Sequence, residues 1–217
     1  SLRELSQGIN GELTISEQMD SLLNSLDIDE VPGSWTKIAY PSLRNLTFWF
    51  EDLLKRFAQL DEWSSELQLP KVVWLSGLFN PMSFLTAVMQ ATARKTQLPL
   101  DKMCLQTEVL KKSKKDITTA PNIGCYICGF HLEGAGWDQK SGVLKESNLK
   151  ELTVEMPVIH VKAVPVDKRD VKSIYECPVY ITSQRGPTYV FTAQLKTKHD
   201  PSKWILAGVA LLLQPKS

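Results

Sequence analysis

Apolar positions along the 217-residue chain follow two periods. Up to about residue 100 they recur every three or four residues, the spacing of one helix face. From Lys102 they alternate or cluster in short runs bounded by Pro, Gly, Asp, Asn or Lys, the habit of strands. Leu2 and Leu5 share a face of a first helix that Gly8 is expected to end. Thr14-Ile15-Ser16-Glu17 reads as a capping box with Thr14 as the cap, opening a helix whose apolar face is Met19, Leu22, Leu23 and Leu26. The strongest pattern starts at Ser42, where Leu43, Leu46, Phe50, Leu53, Phe57 and Leu60 form an apolar seam. Phe48, Trp49 and Leu54 lie off it, which predicts a second buried face. Each fully buried Leu or Phe contributes roughly 1.5–3 kcal/mol, so the seam is expected to be a main stabiliser, with its aromatics in the core.

The two regimes meet in Lys71–Lys95. A short apolar run, Val72 to Leu75, breaks at Ser76-Gly77, and Asn80-Pro81 then opens a helix. Asn80 suits the cap and Pro81 the first helical position, where its missing N–H costs nothing. Phe84, Val88 and Ala91 follow at helical spacing.

Strands are predicted at Lys102–Leu110, Gly124–Glu133, Met156–Val164, Ile174–Thr182, Thr188–Lys196 and Trp204–Gln214. Gln184 to Pro187 marks a hairpin. No helical pattern is apparent between the runs, which argues against parallel βαβ units. The reading is an α+β protein: an α-helical subdomain over residues 1–100, then an antiparallel β-barrel of about six strands over residues 101–217.

Composition narrows the function. Hydrophobic residues make up 43% and charged residues 23%, with a net charge of +1. That is enough apolar material for a core, without the basic excess of a nucleic-acid or membrane-surface module. No apolar run has the length of a membrane span, and no signal peptide is visible. Four Cys suggest free thiols in a reducing compartment. The abrupt start at Ser1 leads us to expect a fragment of a longer polypeptide. The Asn45-Leu46-Thr47 sequon falls within a helical pattern and reads as chance. Lys111-Lys112-Ser113-Lys114-Lys115 is the sharpest charge cluster and reads as a solvated loop.

Candidate chemistry is sparse. Gly124 and Gly129 match the two glycines of a phosphate loop, but Phe130 and His131 stand where Lys and Ser or Thr are required. Gly134 and Gly136 suggest a turn. Cys125 and Cys128, with His131 three residues on, are the only metal-like grouping, yet strand periodicity points the two thiols to opposite faces. Ser76 is one residue out of register for a nucleophile elbow. Glu51-Asp52 and Asp61-Glu62 read as solvent-facing carboxylates. No catalytic, cofactor-binding or metal-ligating residue is therefore assigned.

Longer strings carry a resemblance. YPSLRNLTFWFEDLLKR (Tyr40–Arg56), WLSGLFNPMSFLTAVMQATARK (Trp74–Lys95), GFHLEGAGWD (Gly129–Asp138), LKELTVEMPVIHVKAVPV (from Leu149), YECPVYITSQRG (Tyr175–Gly186) and PSKWILAGVALLLQ (Pro201–Gln214) resemble the C-terminal region of dynein heavy chains, most closely axonemal, outer-arm-like ones. Cys125 and Gly136 depart from the family's usual residues. The resemblance implies an α-helical part followed by a β-barrel, packed on a ring of AAA+ modules. It implies a non-catalytic capping and regulatory domain of an ATP-driven, minus-end-directed microtubule motor of cilia and flagella. ATP and Mg would be bound by the AAA+ modules and no cofactor by this segment. Implied partners are the ring modules and, in the full motor, intermediate and light chains and microtubules, with no nucleic acid or membrane. The implied location is the cytoplasm and cytoskeleton, in the axoneme. The rival reading is an independent adaptor whose barrel binds a partner protein; a metalloenzyme built on Cys125, Cys128 and His131 is the remote third.

Overall fold

The computed structural model describes residues 1–148, 150–169 and 173–215; Leu149, which opens one of the family-like strings, lies outside them. Two short helices, α1 (Leu2–Ile9) and α2 (Glu17–Asp27), form a hairpin that buries Leu5, Gly8 and Leu22. Gly8 does not end α1. It lies inside it, where a Cβ would come within 3.3 Å of Met19 Sδ, so the missing side chain lets the two helices close. Ser16, not Thr14, caps α2, its hydroxyl accepting from Met19 N at 3.3 Å.

A single turn, α3 (Gly33–Thr36), leads to the long helix α4 (Leu46–Glu66). It starts at Leu46 rather than Ser42 because Asn45 and Asp29 occupy its free amides. Asn45 Oδ1 accepts from Phe48 N at 3.3 Å, and Asp29 Oδ1 accepts from Thr47 N and Oγ1 at 2.8 Å. Next come β1 (Val73–Trp74), a buried 3₁₀ turn at Leu75–Gly77, and α5 (Pro81–Thr96). α5 opens as expected: Asn80 Oδ1 accepts from Ser83 N at 3.0 Å with Pro81 beside it.

The remaining elements are β2 (Met103–Val109), β3 (Cys125–Cys128), β4 (His131–Glu133), β5 (Gly136–Asp138), β6 (Val143–Lys145), β7 (Thr153–Glu155), β8 (Ile159–Pro165), β9 (Ile174–Thr182), β10 (Tyr189–Lys196), α6 (Pro201–Leu206) and β11 (Ala210–Gln214). They form two larger sheets, in the orders β1-β3-β8-β2 and β10-β9-β11-β4-β7, and the ribbon β5-β6. Mixed helix and sheet is as expected; a closed antiparallel barrel is not what forms. The run predicted as one strand over Gly124–Glu133 breaks at Gly129, so that β3 joins one sheet and β4 the other. Where β2 of the first sheet meets β10 of the second, side chains stand in for a ladder. Gln194 Oε1 accepts from Thr107 N at 2.7 Å, and Thr107 Oγ1 accepts from Gln194 N at 2.6 Å.

Nor are the sheets purely antiparallel. β1 runs parallel to β3, and β11 runs parallel to β9. The second pairing arises because the run predicted as a strand over Trp204–Gln214 begins as helix α6. Asp200 caps it and Pro201 takes its first turn, the same signal that opens α5. This small crossover returns the backbone beside β9. The β9–β10 hairpin forms where predicted, around Arg185 at φ +53.

One continuous core joins the two regimes. Val73, Leu75 and Leu85 from the first half pack with Ile127, Phe130, Val161, Cys177, Leu195 and Leu211 from the second.

Candidate functional site

Helix α4 presents two unlike faces, and the buried one is not the one its periodicity marks. Its buried residues are Trp49, Asp52 and Arg56. The expected seam is instead largely open: Phe50 is 51% exposed and Phe57 67%, with Leu54 at 55% beside them. Leu46 and Leu53 are half-buried, and Leu60 packs against the core. Hydrophobic spacing marks an apolar face but does not say what covers it. The seam is thus not a main stabiliser of this protein. Of the aromatics expected in the core, only Trp49 is buried there, stacked between Trp35 and Tyr40 at centroid distances of 6.0 and 5.9 Å.

The inner face is polar because a charge network sits there. Arg56 Nε donates to Asp52 Oδ2 at 2.7 Å and its NH1 to the carbonyl of Leu78 at 3.2 Å. Gln214 of β11 donates to the same Asp52 oxygen at 3.0 Å. The guanidinium lies 3.9 Å from the Tyr40 ring centroid, with Trp74 and Phe79 flanking it, an arrangement that stabilises a desolvated cation. Asp52 was expected to face solvent; it is 4% exposed because Arg56 one turn on neutralises it. One turn further, Gln59 pairs its amide with both main-chain groups of Trp74, at 2.8 and 3.1 Å. That amide completes the outer edge of β1, where a further strand would otherwise pair.

The sequence-derived chemical candidates are not brought together. Cys125 points into the core, and Cys128, on the opposite face of β3, opens onto a groove of about 1150 Å³ between α4 and the sheets. His131 also lines this groove. Burial pushes the Cys125 thiol up to about 12 and raises Cys128, so neither favours the thiolate at neutral pH. Burial lowers His131, helped by Arg44 and opposed by Glu155. Among the described residues no three His, Cys, Asp or Glu side chains are placed to hold a metal. Gly124 and Gly129 serve backbone geometry: both have positive φ, and strand rather than helix follows them.

Buried acids of this kind set an alkaline limit. Tyr40 is pushed up to about 12 by burial first and by the Asp52 charge second; Cys177 and Tyr175 are also raised, chiefly by burial. A raised folded-state pKa means the folded protein holds its proton more tightly. The associated stability is present below the ordinary pKa and is lost as pH climbs towards the folded value. We therefore expect a flat melting temperature near neutrality and a steepening fall from about pH 9 to 12. Cys125 lowers stability by at most about 1.4 kcal/mol per pH unit, in the middle of that range. A melting series that stays flat to pH 12 would contradict the burial of these groups.

Comparison with known proteins places this architecture. The family model for the C-terminal domain of dynein heavy chains matches residues 1–213. The protein belongs to this family of dynein C-terminal domains. It is 56% identical over 214 residues to "Dynein beta chain, ciliary" of Tripneustes gratilla and 55% identical over 214 residues to "Dynein axonemal heavy chain 9" of Homo sapiens, in each case over 99% of its own length. It is 55% identical to "Dynein beta chain, flagellar outer arm" of Chlamydomonas reinhardtii over 98% of its own length. It spans about 5% of the length of these relatives. This member of the family is thus a two-faced helix clamped on a pair of unclosed sheets. Sequence reasoning found α4 but missed the Arg56 network. Its only sequence signal was the i, i+4 spacing of Asp52 and Arg56, which surface helices share.

Proposed function

We propose that this domain is a non-catalytic capping and regulatory element of an axonemal dynein heavy chain, bracing the ring of AAA+ modules in a minus-end-directed microtubule motor of cilia and flagella. The names of its relatives support the axonemal setting. The observation that carries the bracing role is the open apolar stripe Phe50, Leu54 and Phe57, on one face of a helix whose opposite face is locked to the sheets. Contiguous exposed apolar surface of this kind marks a site of contact. The helical part supplies that contact and the sheets behind α4 its backing. Any bias on the ring comes from contacts that differ between ring states. ATP and Mg belong to the ring modules; intermediate chains, light chains and microtubules are partners of the whole motor.

Leu54→Glu with Phe57→Glu in the full heavy chain tests this. Both positions are exposed, so the fold is expected to persist by circular dichroism. ATPase rate and gliding velocity are expected to fall several-fold, because roughly 1 kcal/mol or more per residue of contact is lost. Unchanged ATPase and gliding would remove the stripe as the bracing surface. The adaptor alternative loses its simplest form, partner addition at a sheet edge: Gln59 covers β1, Thr107 and Gln194 bridge β2 and β10, and the β5–β6 ribbon lies beside β7.

A further inference from the structure

We propose that Ser113 is a phosphorylation site for a basophilic Ser/Thr protein kinase, one that selects lysine or arginine around its acceptor. Ser113 lies in the connection between β2 and β3, and every residue from Lys111 to Asp116 is exposed. Two lysines precede it and two follow it. Among the described residues none of the four is in an ion pair, although Lys111 Nζ donates to the carbonyl of Lys140 at 2.9 Å, so no carboxylate competes with a kinase's acidic substrate groove for their charge. Ser113 itself is extended, at φ −77° and ψ 164°. The next three residues form one exposed 3₁₀ turn held by two main-chain bonds, Asp116 N to Ser113 O at 3.1 Å and Ile117 N to Lys114 O at 3.4 Å. Opening so short a turn in an active site costs little.

The step is a phosphoryl transfer from ATP. Ser113 Oγ attacks the γ-phosphorus, the bond from that phosphorus to the β,γ-bridging oxygen breaks, ADP leaves, and the hydroxyl proton passes to the kinase's carboxylate base. The product cannot keep the present turn. Ser113 Oγ now donates to Asp116 Oδ2 at 2.7 Å, and Ser113 N donates to the same oxygen at 3.1 Å. A phosphate on that hydroxyl carries nearly two negative charges and is repelled by Asp116, while the flanking lysines draw it away. Ser113, Lys114 and Ile117 line the groove between α4 and the sheets, so modification reshapes one wall of it.

The whole heavy chain, treated with ATP and a purified basophilic kinase, tests this, with an acid-directed kinase as control. Mass spectrometry is expected to map close to one phosphate per molecule within Lys111–Asn122, on Ser113, absent in Ser113→Ala. Lys112→Ala with Lys114→Ala is expected to slow incorporation at least tenfold. Amide exchange at Asp116 and Ile117 is expected to quicken on phosphorylation. Mapping to Thr118 or Thr119 instead, equal labelling by the acid-directed kinase, or indifference to the lysine substitutions would each overturn the proposal.

Discussion

Arg56→Ala is expected to cost about 3–5 kcal/mol, lowering the melting temperature by roughly 6–20 °C. The loss exceeds that of an ordinary helix residue because three things happen together. Asp52, buried and negative, loses its counter-charge and is left with neutral neighbours such as the amide of Gln214. The carbonyl of Leu78 loses its donor. The space beneath Tyr40, Trp74 and Phe79 empties. Removing one member of a buried pair leaves an uncompensated charge, whereas replacing the whole group by apolar side chains of similar size is often neutral. Arg56→Met combined with Asp52→Leu and Gln214→Leu should therefore recover most of the loss. Thermal melts of the single and triple variants check both statements, and a drop below 1 kcal/mol for Arg56→Ala would show that the network holds little. Because Gln214 ends β11, the single variant should also raise amide exchange in that strand, which follows α4 by more than a hundred residues in sequence but touches it in space.

The second large effect is expected at Gly129. Its φ is +93°, and a Cβ there would overlap Ser76 Oγ and lie 2.5 Å from Trp74 Cδ1. Gly129→Ala thus combines a strained backbone, of order 1–3 kcal/mol, with overpacking of a further 1–3 kcal/mol. Displacing Trp74 also strips Gln59 of both its bonds, so helix and sheet should loosen together. Gly124, at φ +75°, is as confined: a Cβ would overlap the carbonyl of Val161 and lie 2.8 Å from Lys162 Cα. A phosphate-loop reading of this pair predicts variants that fold but fail to bind nucleotide. The corner reading predicts proteins that melt early whether or not nucleotide is present. Melting curves with and without ATP separate the two.

These two residues mark the line between what the sequence reveals by itself and what only folding decides. The helices around Leu22, Phe50 and Leu85 are written in local spacing, and Asn80-Pro81 writes its own cap, because caps and amphipathic faces are properties of neighbours in sequence. The runs that become β2, β8, β9 and β10 were equally visible. The long strings Tyr40–Arg56 and Trp74–Lys95 carried the family without any structure.

Tertiary contact decided the rest. A face of α4 rich in Phe and Leu is identical on paper whether it meets this protein or another; only the position of Arg56 against Asp52 and Gln214 turns the polar side inward and leaves the apolar side free. The strand run through Gly129 reads as continuous because its alternation is continuous, and the break comes from Trp74 and Ser76, about fifty residues upstream, occupying the space a side chain would need. Sheet closure likewise depends on whether two distant edges meet backbone to backbone or, as at Thr107 and Gln194, through side chains. Local sequence sets the conformational preference of each segment; its partner is chosen by long-range packing, which no window along the sequence contains.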